Sequence, residues 1–373
     1  MSAAMPPAAP GDPVAAIDTP ALVLDLYAFE RNVQLMANAV RGAGVALRPH
    51  AKAHKCPEIA WAQLEHGAVG VCCQKVAEAE VFVAAGIRDV LVTNEIAGAA
   101  KLARLARLAE RAKVGVLVDD LDNVAELSAA AVAAGTALDV LVEVDVGGAR
   151  CGVAPGMPAA RIAAAIAAAP ALRFRGIHAY HGAAQHLRTL AERRAAIAQA
   201  IAQARESKQG IEAAGVACPV VTGAGTGTWQ EERDSGVYTE LQPGSYVFMD
   251  ADYGRNALAP DQHHFEHSLY VLTTVMSTPV PTRAVVDAGL KALAFDSGLP
   301  QVYGAAGLTY TKATDEHGVV DVSPGAAQPV RGGRLWLVPG HCDPTVNLHD
   351  WIVGVRGETV ESVWAVAARG ALG

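Results

Sequence analysis

The chain has 373 residues, is 51% hydrophobic and 18% charged, and carries a formal charge of −8. That composition builds a buried core and excludes an intrinsically disordered chain. The acidic balance excludes a protein that holds nucleic acid through bulk electrostatics, though it leaves room for a local anion site.

The opening stretch, 1–18, lacks the basic and apolar segments of a secretory signal and reads as a flexible Pro/Ala tail. "TPALVLDL" at 19–26 is a strand, followed by a helix with apolar residues at Phe29, Val33, Met36 and Val40. Strand candidates then fall at 45–49, 69–73, 89–93, 114–118, 139–146, 173–180, 219–222 and 237–242. Amphipathic helical patterns fill most of the gaps, for example 97–112, 121–134, 157–168 and 187–214. Several of these strands are near-continuous apolar runs, as in a parallel sheet covered on both faces. Eight strands in alternating βα order close a (β/α)8 barrel of TIM type, with a doubly wound open sheet as the rival. Past about residue 260 the helical stripes give way to short strands and turns. The chain therefore divides into a barrel over 27–258 and a C-terminal all-β domain over 259–373, which the strand at 19–26 joins. No apolar run is long enough to span a bilayer. The six cysteines include no Cys-x-x-Cys pair, so a reducing, cytoplasmic setting is expected.

In such a barrel, chemistry sits at the C-terminal strand ends. The first strand ends in "RPHAKAHK", where alternation puts Arg48, His50 and Lys52 on one side. Lys52 then points into the mouth, as Schiff-base chemistry requires, while Lys55 opens the next helix. The fifth strand ends in "EVDVGGARCG", offering Arg150 to a phenolate or carboxylate. The sixth ends in "GIHAYHGAAQH", which gathers His178, Tyr180, His181 and His186 and suits proton transfer without saying which histidine acts. The seventh and eighth end in "TGAGTGTW" and "ELQPGSYVFMD". Gly223, Gly225, Thr226, Gly227, Gly244, Ser245 and Tyr246 there offer N–H and hydroxyl groups where barrels of this type bind phosphate. Far along the chain, "VPGHCDPTVNLHD" sets His341 and Asp343 two apart, on one side of an extended segment. One imidazole and one carboxylate completed by water suit Mg²⁺ or Mn²⁺ better than a closed zinc cage.

Together these stretches, with "GVCCQKVAEA", "VVDAGLKA" and "DEHGVV", resemble the D-threonine aldolase family, within the fold-type III pyridoxal-phosphate enzymes related to alanine racemase. The resemblance runs along nearly the whole chain. It implies pyridoxal 5'-phosphate (PLP) bonded to Lys52, with Arg150 facing its ring, Tyr180 among the cofactor-binding residues, and the Gly/Thr loop, Gly244, Ser245 and Tyr246 at its phosphate. It further implies a divalent metal on His341 and Asp343, His186 as the base, a small β-hydroxy-D-amino acid as substrate, and a homodimer. Neither nucleic acid nor membrane is an expected partner. Two features depart from the family pattern: His178, where glutamine is expected, and the order His-Cys-Asp. A His-x-Cys pattern would have favoured zinc and D-serine dehydratase. The alternatives are 3-hydroxy-D-aspartate aldolase, D-serine dehydratase and, as a non-enzyme, a PLP-binding homeostasis protein. The last lacks a β domain and a metal motif, so the final hundred or so residues speak against it.

Overall fold

Strand β1 (Ala21–Asp25) turns directly into helix α1 (Leu26–Val40), because the Asp25 carboxylate accepts the backbone N–H groups of Tyr27 and Ala28. The computed structural model describes residues 5–260 and 262–373. Eight parallel strands follow: β2 (Ala46–Leu47), β3 (Val71–Cys73), β4 (Asp89–Glu95), β5 (Lys113–Val118), β6 (Leu138–Glu143), β7 (Leu172–Ala179), β8 (Val220–Gly223) and β9 (Glu240–Leu241). Between them lie α2 (Pro57–Glu65), α3 (Val76–Ala84), α4 (Ala99–Leu108), α5 (Leu121–Ala134), α6 (Met157–Ala168), α7 (Leu190–Ala213) and α8 (Trp229–Arg233). The strands pair in the order β2-β9-β8-β7-β6-β5-β4-β3. A parallel bridge between His50 and Cys72 joins the two ends and closes the ring.

The expected strands at 45–49 and 237–242 shorten to two residues each. Pro49 and Pro243 lack the N–H that would continue the ladder. The N-terminal end of the barrel is plugged by charge. Arg48 reaches Glu240 at 3.0 Å and Asp89 at 2.7 Å, and Arg173 reaches Asp139 at 2.6 Å. That leaves the opposite end as the open mouth.

The second sheet comprises β10 (Leu269–Val280), β11 (Arg283–Val286), β12 (Gln301–Tyr303), β13 (Leu308–Ala313), β14 (Gly318–Val322), β15 (Arg334–Val338), β16 (Trp351–Arg356) and β17 (Thr359–Ala365), together with β1. β1 lies between antiparallel β10 and parallel β16, with Leu22 opposite both Val271 and Ile352. Two expectations need correction. The sheet is interrupted by a short helix, α9 (Cys342–Val346), so His341 and Asp343 do not share an extended segment: His341 is the extended residue before the helix, and Asp343 sits in its first turn. The tail expected to be flexible is held in place over 11–18. Gly11 and Val14 donate N–H bonds to the Val360 and Glu358 carbonyls, Val14 and Ile17 are buried, and Arg334 binds the carbonyls of Ala15 and Ile17. Residues 1–4 lie outside the described residues. One apolar core runs from β1 and β10 through α1 into the barrel, so the two sheets share their packing.

Candidate active site

The chain leaves β2 through a tight turn at 51–53 rather than as an extended strand. His50 caps that turn, its Nδ1 accepting the Lys52 N–H at 3.4 Å. The turn still brings Lys52 and His50 to one cavity at the barrel mouth. Lys55 lies just before α2 and is buried, paired with Glu78 and donating to the Ala368 carbonyl. It faces away from the mouth.

Lys52 Nζ stands 3.4 Å from Asp343 Oδ2 across the cavity, and its side chain keeps 42% exposure because the mouth is open. Burial pulls the ammonium pKa down, but Asp343 and Tyr180 outweigh it and the net shift is upward. Lys52 therefore rests as a protonated amine. His50 is the reverse case: burial and the nearby Lys52 charge hold it well below the ordinary range, so it is a neutral imidazole. Its Nε2 is 2.9 Å from Thr93 Oγ1 and 3.1 Å from Gln74 Nε2.

Arg150 lies over the Tyr180 ring at 5.9 Å, and its guanidinium is 3.7 Å from Glu143. His178 is buried between Glu143, 3.4 Å away, and Gln242 Oε1, 3.0 Å away. Burial raises the Glu143 carboxyl, but His178 and Arg150 bring it below its ordinary value, so it is a carboxylate facing both side chains.

The glycine–threonine loop divides. Ala224, Gly225 and Thr226 line the cavity. The Thr226 hydroxyl is buried without a hydrogen-bond partner, which marks a place for a ligand acceptor. Gly223 and Gly227, expected at the phosphate, do not line the cavity. Gly223 belongs to β8, where a Cβ would meet the Ala179 carbonyl at 2.3 Å. The Gly227 N–H already donates to Gln185 Oε1 at 2.9 Å. On the neighbouring loop Gly244 and Ser245 line the cavity. The Tyr246 side chain does not: it is fully buried and its hydroxyl accepts from Gln63. The local spacing of these residues is regular, but strand pairing consumes some of their backbone groups and core packing others.

His186 faces the cavity half-exposed, with Nδ1 2.5 Å from Asp252 Oδ2. Asp252 is itself clamped by Arg188 and by Arg255, the latter at 2.6 Å. Burial raises the Asp252 carboxyl, but Arg255, His186 and Arg188 more than reverse this, keeping it ionised. Across the mouth, His341 Nδ1 is 2.6 Å from Asp296 Oδ2. Asp343 Oδ1 accepts from Ser245 Oγ at 3.2 Å. Cys342 is fully buried behind Asp343 and does not line the cavity. Among the described residues, the one group of three metal-ligating side chains with ligand atoms within 4.8 Å of one another is Glu95, Asp119 and Cys151, outside this cavity.

Sequence reasoning did not assign roles to Gln74, Thr93, Gln242, Asp252, Tyr253 or Asp296. Thr93 and Gln242 stand at strand ends, so the barrel pattern itself was their signal. Asp252 and Asp296 come from loops whose positions no local pattern fixes.

A closed parallel barrel with a lysine amine in its mouth, an arginine beside it, a hydroxyl-lined loop after β8 and a mostly antiparallel β domain that adds His341 and Asp343 to the cavity defines the alanine racemase-like class of PLP enzyme. Residues 24–252 match the family described as "Alanine racemase, N-terminal domain", and residues 268–355 match the "Putative serine dehydratase domain". A D-threonine aldolase of an Arthrobacter species is 53% identical over 98% of this chain and 96% of its own. A 3-hydroxy-D-aspartate aldolase of Paracoccus denitrificans strain Pd 1222 is 51% identical over 98% of this chain and 95% of its own. The crystal structure of D-threonine aldolase from Filomicrobium marinum superposes with a TM-score of 0.97 at 50% identity, covering 99% of this chain and 100% of that one. The chain belongs to the D-threonine aldolase family of lyases.

Proposed function

We propose that the protein is a PLP- and divalent-metal-dependent aldolase that cleaves D-threonine and other β-hydroxy-D-amino acids to glycine and an aldehyde. The observation that carries this reading is one cavity in which the Lys52 amine, Arg150, Tyr180, His186, His341 and Asp343 converge.

The residues present fit PLP. Lys52 would supply the amine, Arg150 and Tyr180 would face the ring, and the partnerless Thr226 hydroxyl with Gly225, Gly244 and Ser245, all lining the cavity, would hold the phosphate. Gly244 leaves no room for a side chain, since a Cβ would stand 2.6 Å from the His50 carbonyl. When bound, PLP supplies an electron sink for the bond-breaking step. A partly hydrated hard cation also fits. Asp296 engages His341 Nδ1, which leaves Nε2, and Asp343 adds one carboxylate. Two protein ligands suit Mn²⁺ or Mg²⁺ better than Zn²⁺. When bound, the cation would acidify a β-hydroxyl group.

The chain's own groups do the rest. Asp252 binds His186 at Nδ1 and so leaves Nε2 free to take the β-hydroxyl proton. Asp343 holds the Lys52 ammonium in place until the amine is needed. Glu143 steadies Arg150 and His178 at the ring position. Selectivity for the D configuration is supported by the family resemblance alone. The same resemblance supports a homodimer, and the six free thiols support a cytoplasmic setting.

Purified protein given PLP is expected to show a visible absorbance band that borohydride bleaches, leaving the cofactor attached through dialysis, and that is absent in Lys52→Ala. With Mn²⁺ and D-threonine it should release glycine and acetaldehyde in equal amounts. No band in the wild type, or a band unchanged in Lys52→Ala, would sink the proposal. The name of the 51%-identical relative supports a second reading, cleavage of 3-hydroxy-D-aspartate. The ratio of kcat/KM for the two substrates decides between them.

A further inference from the structure

Behind the loop that lines the phosphate position lies a carboxylic acid that the reaction does not use. Glu232, on α8, is 1% exposed. Its Oε1 accepts from Thr228 Oγ1 at 3.0 Å, and its Oε2 is buried without a hydrogen-bond partner. Thr228 Oγ1 in turn accepts from Gln185 Nε2 at 2.8 Å, and Gln185 Oε1 accepts the Gly227 N–H at 2.9 Å. The Gln185 carboxamide also fills the space a side chain at Gly225 would occupy, 2.5 Å from its Cβ position. The Gln185 carbonyl is held by Asn256 Nδ2. A single hydrogen-bonded chain thus runs from Glu232 through Thr228 and Gln185 to Gly227, and the same Gln185 carboxamide packs against Gly225 on the other side of Thr226.

We propose that Glu232, as a neutral carboxylic acid, is the positioning residue for the 225–228 loop and that its ionisation expels a phosphate monoester dianion from that loop. This rests on the reading that the loop holds the cofactor phosphate. The electrical argument is simple. Burial lifts the Glu232 carboxyl from 4.5 to about 8, and the Thr228 hydrogen bond offsets only part of that. The charged and titratable groups facing it are Glu231 on its own helix, paired at 3.4 Å with Arg194 of α7, together with Tyr238 before β9 and Tyr180 after β7. Among the described residues, no cation forms an ion pair with Glu232. Once ionised, it places an unpaired charge behind the loop, of the same sign as the phosphate. One proton linked to binding changes affinity by up to tenfold per pH unit.

The test uses PLP and pyridoxal, which carries the same aldehyde without the phosphate. Affinities of both are measured on the cofactor-stripped full chain from pH 7 to 9.5. The preference for PLP over pyridoxal is expected to shrink at least fivefold between pH 7.5 and 9.5 in the wild type and to stay constant in Glu232→Gln. A constant preference in the wild type overturns the proposal even if the variant fails to fold. A Glu232→Gln preference that falls as the wild type's does also overturns it. Failure of the wider reading looks different: neither compound would then depend on Lys52, and PLP would show no advantage at any pH.

Discussion

In the proposed mechanism His186 acts through whichever ring nitrogen is free, and Asp252 engages Nδ1. Removing the ring in His186→Ala is expected to lower kcat by about 10²–10⁴-fold, the usual worth of a positioned base. Asp252→Asn should lower kcat by less and leave KM nearly unchanged, as steady-state kinetics will test. At the proposed metal corner, EDTA or Asp343→Asn should abolish cleavage while the cofactor band persists. Full activity after complete metal removal would refute a role for His341 and Asp343. Glu232 also makes a stability prediction. Its folded-state pKa, about 8, lies above the ordinary 4.5. Its contribution to stability is therefore complete below pH 4.5 and is lost as the pH rises to about 8, because the unfolded chain ionises first. Glu232→Gln should melt above the wild type at pH 8.5, by about 5 °C. The gap should narrow toward pH 5, and calorimetry across that range is the measurement.

Two loops and one short helix bring the strand ends to bear. The turn at 51–53 and the loop bearing Gly244 are in contact, with 2.6 Å between the His50 carbonyl and a would-be Cβ at 244. Gly244→Ala must push the lysine turn aside. It is expected to cost about 1–3 kcal/mol of stability and to weaken cofactor retention, read by urea unfolding and by absorbance after dialysis. Helix α9 has the opposite character, since it brings side chains from the other sheet to the barrel mouth. His341 precedes it and Asp343 lies in its first turn, so the pair reaches the mouth from a helix start and not from a strand. The period-two reading of "HCD" expected the two side chains to meet, and both do line one cavity, but it had the backbone wrong. A five-residue helix followed by Leu348, His349 and a strand carries too little periodicity to be seen locally.

At the scale of the whole molecule, the N-terminal strand holds the two sheets together. β1 lies between β10 and β16, yet it leads straight into α1 of the barrel. Leu22 is fully buried there, and Leu22→Ala is expected to cost about 2–5 kcal/mol. If the sheets unfold as one unit, tryptophan fluorescence and loss of the cofactor band will share a single transition. Two separate transitions would show that the common core couples them weakly.

Much of this was legible in the residues themselves. Apolar runs alternating with amphipathic stripes gave eight parallel strands and a late change to short antiparallel ones, because burial on two faces or one leaves a periodic trace in the chain. Unusual residues at strand ends marked Lys52, Arg150, Tyr180 and His186 as residues of one cavity, because the loops that follow parallel strands all gather at the same end of the barrel. Other features depended on chain segments far apart in sequence. Gly223, Gly227 and Tyr246 were spent on strand pairing and packing, Asp252 and Asp296 arrived from distant loops, and residues 11–18 were tied to β17. Local sequence records which groups a segment can offer. Whether a neighbour has already taken the bond is settled only when the chain has folded.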